Sequence, residues 1–109
     1  AMNDAPDKPN PEGFLKLANK LLGDNFSRYS PPIAYVGDTI ADIQTVINAR
    51  EIHPSQRFIS IGITPPHLQT PDNIQKQSKY ESKLKAAGAD IIIRSVIDLK
   101  IIFKDLFQN

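Results

Sequence analysis

The sequence predicts an α/β fold: a partial Rossmann-like parallel sheet of about three strands flanked by helices, in the order αβαβαβα. Two observations lead there. Three short apolar runs, Ile33-Ala34-Tyr35-Val36, Phe58 to Ile63 and Ile91-Ile92-Ile93, have the length and β-branched content of buried strands. Between and around them lie stretches whose apolar residues recur at three and four, and strands separated by helices imply right-handed crossovers and parallel pairing.

Residues 1 to 10 are polar, with Pro6 and Pro9, and read as an extended opening segment. Pro11 suits the first turn of a helix whose apolar stripe is Phe14, Leu15, Leu17, Ala18, Leu21 and Leu22, with Gly23 as its stop. Pro31 and Pro32 restart the chain in an extended state ahead of Ile33 to Val36, and Gly37-Asp38 end that strand. Ile40, Ile43, Val46 and Ile47 then share one face of a second helix, with Asp38 or Thr39 available as its cap. Phe58 to Ile63 is the next strand. Residues 64 to 76 hold Pro65, Pro66 and Pro71 and read as a long loop, and Lys79 to Ala87 as a helix ended by Gly88. Its Lys76, Lys79, Lys83, Lys85 and Glu81 read as a solvated face. After Ile91 to Ile93, Ser95 and Asp98 open a last helix that turns Val96, Leu99, Ile102, Phe103 and Leu106 inward.

A chain of 109 residues supports one domain and one modest core. With 13 basic against 12 acidic side chains and no basic window interleaved with aromatics, there is no footprint for nucleic acid. The apolar runs are too short to span a bilayer, so no membrane partner is expected. The absence of Cys removes disulfides, thiolate metal sites and a Cys nucleophile together, and we expect a cytoplasmic protein. His53 and His67 sit in separate Pro-containing loops without ligand-spaced neighbours, which favours surface or packing roles over metal binding.

In open α/β sheets, ligands bind beyond the carboxyl ends of the strands, where helix N-termini present free N–H groups. That rule selects Gly37-Asp38-Thr39. Asp38 follows the first strand and Asp42 comes four residues later, so both carboxylates fall on one face of the first helical turn. Two readings stand. The pair can share a hard cation such as Mg²⁺, or Asp38 can cap the helix while Asp42 favours its dipole. Lys8, between Asp7 and Pro9, is a further candidate cation, with ordinary solvation as its alternative. Tyr35 reads as packed. The loop with His67 leaves the carboxyl end of the second strand and would flank the same site.

Taken in order, Lys8-Pro9-Asn10-Pro11-Glu12-Gly13-Phe14 and Tyr35-Val36-Gly37-Asp38-Thr39-Ile40-Ala41-Asp42-Ile43 resemble the third and fourth motifs of the haloacid dehalogenase-like (HAD) hydrolases. The later segments, including Leu84-Lys85-Ala86-Ala87-Gly88-Ala89-Asp90 before Ile91, are similar to the C-terminal end of that family. The resemblance implies that residues 11 to 109 are the C-terminal half of a HAD-like core. It also implies a Mg²⁺ cofactor and a small phosphorylated substrate. Asp38 would be a metal ligand, and Asp42 would reach the ion through water or orient Lys8. Lys8 would pair with the nucleophile, with Gly37, Thr39 and His67 flanking the phosphate or substrate. The family's first motif, Asp-x-Asp-x-Thr on a strand, is absent from this sequence. The resemblance therefore implies a partner: a half bearing the nucleophile or, for the isolated chain, a homo-oligomer paired through Ile33 to Val36. The rival expectation is a non-catalytic module of the same fold that binds a protein through its open sheet edge.

Overall fold

A computed structural model describes residues 10–22 and 30–99. The elements are α1 (Glu12–Leu22), β1 (Ile33–Gly37), α2 (Ile40–Ile52), β2 (Phe58–Ile63), α3 (Ile74–Ala87) and β3 (Ile91–Ile93), with two short 3₁₀ turns, Pro66–Leu68 and Pro71–Asn73, between β2 and α3. The sheet has three strands, all parallel, in the order β1-β2-β3. The α/β class, the parallel pairing and the three strands are as the sequence predicts. The seventh element, the last helix, is described only as far as one turn at residues 97–99.

Register decides which side chains meet. Ile33 pairs with Phe58, Tyr35 with Ser60, and Gly62 with Ile92, so Ile33, Tyr35, Phe58 and Ile92 stand on one face of the sheet. That face carries both described clusters. Leu15 of α1, Val46 and Ala49 of α2 and Phe58 are buried together with Phe14, Ile33 and Tyr35 against them. Ile43 of α2, Leu84 of α3 and Ala89 form the second, joined by Tyr80 and Ile92. Two successive crossovers of the same hand and direction place their helices on the same side of a sheet, and α2 and α3 touch each other accordingly.

The termini of the helices have local causes. Asn10 Oδ1 accepts from Glu12 N at 2.9 Å and so opens α1. Thr39, not Asp38, is the N-cap of α2. Gly88 closes α3 in the left-handed region at φ 119°, its N–H returning to the carbonyls of Leu84 and Lys85. An added Cβ there would also lie 2.3 Å from Ile47 Cδ1, so both backbone and packing call for glycine. At the amino end of the sheet, Asp90 Oδ2 receives Arg50 at 2.5 Å and Ser60 N at 2.8 Å, while Arg50 also donates to Phe58 O. One ion pair thus joins the end of α2 to the starts of β2 and β3.

Three expectations need correction. Helix α3 begins at Ile74, five residues before Lys79; Ile74 is 63% exposed, so its first turn adds nothing to the apolar periodicity. The stretch from 64 to 76 is therefore two 3₁₀ turns and a helix start, not one long loop. Val96 is 63% exposed and does not turn inward; Leu99 is half-buried, and Ile102, Phe103 and Leu106 lie outside the described residues. The cap of that helix does form, with Arg94 N and Ser95 N both donating to an Asp98 carboxylate oxygen.

Candidate functional site

Because the strands are parallel, their three carboxyl ends lie along one edge of the sheet, and the residue leaving each is Asp38, Thr64 or Arg94. The sequence singled out the first of these. Asp42 is the N3 residue of a complete capping box: its backbone N–H donates to Thr39 Oγ1 at 3.1 Å, and its Oδ2 accepts from Thr39 N at 3.1 Å and Thr39 Oγ1 at 2.9 Å. Its Oδ1 accepts from the Tyr35 hydroxyl at 3.3 Å. Burial, followed by the Asp42 charge, holds the Tyr35 phenol above its usual range, so it stays a donor. Gly37 is what lets this carboxylate fold back, since a Cβ there would lie 2.3 Å from Asp42 Cβ.

Asp38 differs. Its residue is exposed and its carboxylate has no hydrogen-bond partner among the described residues, while its backbone carbonyl accepts from the Tyr80 hydroxyl of α3. Burial and then the charges of Asp38 and Asp42 raise the Tyr80 pKa. The two carboxylates therefore have unequal duties: Asp42 is held by its own helix turn and strand, and Asp38 is left open to solvent.

Next along the edge is a second polar cluster, built on α3. Thr64, fully buried, donates to Glu81 Oε2 at 2.5 Å, and Arg94 donates to both Glu81 oxygens at 3.0 and 3.2 Å. Hydrogen bonding from Arg94 dominates over burial and, with Thr64, holds the Glu81 carboxyl below its usual range. The Gln77 amide oxygen faces Arg94 Nε at 2.8 Å and its nitrogen faces Leu68 O; the opposite orientation would set the nitrogen against two Arg94 donors. Gln69 bridges the carbonyls of Thr64 and Arg94. Glu81 is thus turned to the sheet, which corrects its assignment to the solvated face; Lys76, Lys79, Lys83 and Lys85 are exposed as expected.

Of the predicted site residues, Gly37, Asp38, Thr39 and Asp42 form one cluster. His67 is exposed in the turn after β2, and its backbone oxygen accepts from Asn73 at 3.1 Å. Lys8 lies outside the described residues. Sequence reasoning missed Tyr80, Thr64, Glu81 and Arg94. A signal for two of them was present: Gln77, Tyr80, Glu81 and Leu84 stand at i, i+3, i+4 and i+7, one helical stripe ending in the core residue Leu84.

Mg²⁺ takes one or two carboxylates and keeps several waters. An exposed Asp38 carboxylate, four residues before an Asp42 that retains a lone pair, is compatible with that requirement; Asp38 would meet the ion directly and Asp42 through water. Among the described residues no group of three or more His, Cys, Asp or Glu is placed to hold a metal ion, so the remaining positions would belong to water or substrate.

A groove nearby, lined by described residues, touches none of these groups. About 480 Å³ in volume, it runs between α1 and the outer side of β1 and is lined mainly by apolar residues, including Phe14, Leu17, Leu21, Ala34, Tyr35 and Val36. No family model, curated protein or solved structure matches the chain. No helix among the described residues is long and apolar enough to cross a membrane.

Proposed function

We propose that the chain supplies the metal-binding half of a HAD-like, Mg²⁺-dependent phosphohydrolase acting on a small phosphate monoester, the nucleophile coming from a separate half. The observation that supports this most is the exposed Asp38 carboxylate, without a hydrogen-bond partner among the described residues, at the carboxyl end of a parallel strand and followed by an Asp42 locked onto the next helical turn. The resemblance of the sequence to the third and fourth HAD motifs is consistent with it.

In this reading Asp38 holds the cation directly and Asp42 orients one of its waters. Mg²⁺, when bound, offsets charge on the transferring phosphoryl oxygens. Thr39 has its hydroxyl and N–H committed to the capping box, so its part is to hold Asp42 rather than to touch phosphate. Lys8 carries its role, pairing with the nucleophile, by resemblance alone.

A second reading, a non-catalytic module that binds through its sheet edge, is favoured by the apolar groove along β1. One titration separates the two. Amide shifts followed while Mg²⁺ is added should move at Asp38 and Thr39 with weak affinity, of about millimolar order, because water fills most of the coordination sphere. Asp38→Asn should abolish the movement. Tight binding that survives Asp38→Asn, or no binding by the parent chain, would defeat the enzyme reading and leave the module.

A further inference from the structure

Asp38 and Thr39 share one peptide group, and both of its polar atoms are held. The oxygen, Asp38 C=O, accepts from the Tyr80 hydroxyl, and the nitrogen, Thr39 N–H, donates to Asp42 Oδ2 at 3.1 Å. The holders come from different elements. Asp42 belongs to the same helical turn, whereas Tyr80 reaches over from α3, 42 residues further along the chain, with its ring packed against the cluster of Ile43, Leu84 and Ala89. A peptide held at both polar atoms resists rotation, which narrows the directions open to the Asp38 Cα–Cβ bond, while its carboxylate stays without a partner among the described residues.

We propose that Tyr80 is a positioning residue for Asp38: through the Asp38 carbonyl it orients the carboxylate that meets the cation. The proposal rests on the reading of Asp38 as the metal ligand. A ligand whose backbone is held in place before the cation arrives loses less freedom on binding, so removing the hydroxyl weakens binding without changing the charge of the site.

The test uses the 109-residue chain and Tyr80→Phe, which keeps the ring in the core. Three measurements are made where both chains are fully folded: Mg²⁺ affinity, affinity for cobalt(III) hexammine, and hydrogen exchange of the Thr39 amide without metal. Cobalt(III) hexammine cannot accept a carboxylate into its inner shell, so it reads charge alone. The loss of one hydrogen bond predicts Mg²⁺ binding weaker by about three- to tenfold, with Thr39 exchange faster by a similar factor. Cobalt(III) hexammine binding should be unchanged. Replacing Tyr80 by para-aminophenylalanine, which restores a donor at the end of the ring, should recover Mg²⁺ affinity, and it serves as the comparison if Tyr80→Phe folds poorly. Equal Mg²⁺ affinity in parent and Tyr80→Phe, or equal weakening of both ions, overturns the proposal. If the parent shows no Asp38-dependent Mg²⁺ binding, the metal reading itself fails; the exchange measurement then decides the Tyr80 link alone, and unchanged Thr39 exchange refutes it.

Discussion

Asp42 shows how a residue chosen for chemistry can be fully explained by folding and still serve chemistry. Its oxygens accept from Thr39 N, Thr39 Oγ1 and the Tyr35 hydroxyl, so the local structure alone accounts for an acidic residue at N3. The consequence falls on Gly37, whose missing Cβ is the space Asp42 occupies. Gly37→Ala should force the carboxylate or the strand end to move and destabilise the chain by about 1–3 kcal/mol, the usual cost of overpacking. Urea unfolding of the two chains measures it. A variant as stable as the parent would mean that Asp42 swings away freely and that the capping box is dispensable. The Gly-Asp-Thr-x-x-Asp run was legible in the sequence because its contacts are within seven residues of one another. The helical stripe of α3 could place Tyr80 on the inward face, but not its bond to Asp38, because a hydrogen bond spanning 42 positions leaves no local trace.

At the scale of elements, α3 carries the clearest gap between sequence and structure. Its inward stripe is polar-tipped toward the carboxyl edge of the sheet, at Gln77, Tyr80 and Glu81, and wholly apolar only at Leu84 and Ala87, so a search for apolar spacing finds a helix that starts late and looks solvated. What orders the upper half is Glu81, which joins α3 to Thr64 after β2 and to Arg94 after β3. Its folded pKa is lowered, chiefly by Arg94, so the stabilisation is present above the ordinary carboxylate pKa of the unfolded chain and is lost as pH falls through the lower folded value. Unfolding free energies of the parent and Glu81→Gln, measured from neutral to acid pH, should differ most near neutrality and converge in acid. Parallel curves would show that the cluster adds nothing. The lower end of α3 was legible from Gly88. Gly88→Ala should lower stability by at least about 1 kcal/mol through the left-handed backbone alone, with the Ile47 contact adding to it. A thermal melt matching the parent would contradict that assignment.

Among the described residues the sheet ends at β1, and the geometry of that strand says how it is open. Ile33 N donates to Arg57 O at 3.0 Å, so residue 33 turns its amide toward the β2 side. Alternation along the strand then directs the N–H and C=O of Ala34 and Val36 to the outer side, where no described strand pairs with them. Beside that edge lie Leu17, Leu21 and Val36, exposed by 60%, 77% and 38%. An unpaired edge flanked by apolar side chains is a template for another strand. In the isolated chain a second copy can provide it. An axis normal to the sheet sets β1 antiparallel to its mate, with Tyr35 opposite Tyr35, so that Ala34 and Val36 of one chain bond to Val36 and Ala34 of the other. Sedimentation at rising concentration should show the chain self-associating, and Val36→Lys, which puts a charge in the seam, should hold it as a monomer. A parent chain that stays monomeric at high concentration would show the edge covered by the chain's own residues. If parent and Val36→Lys associate equally, the chains meet through some other surface.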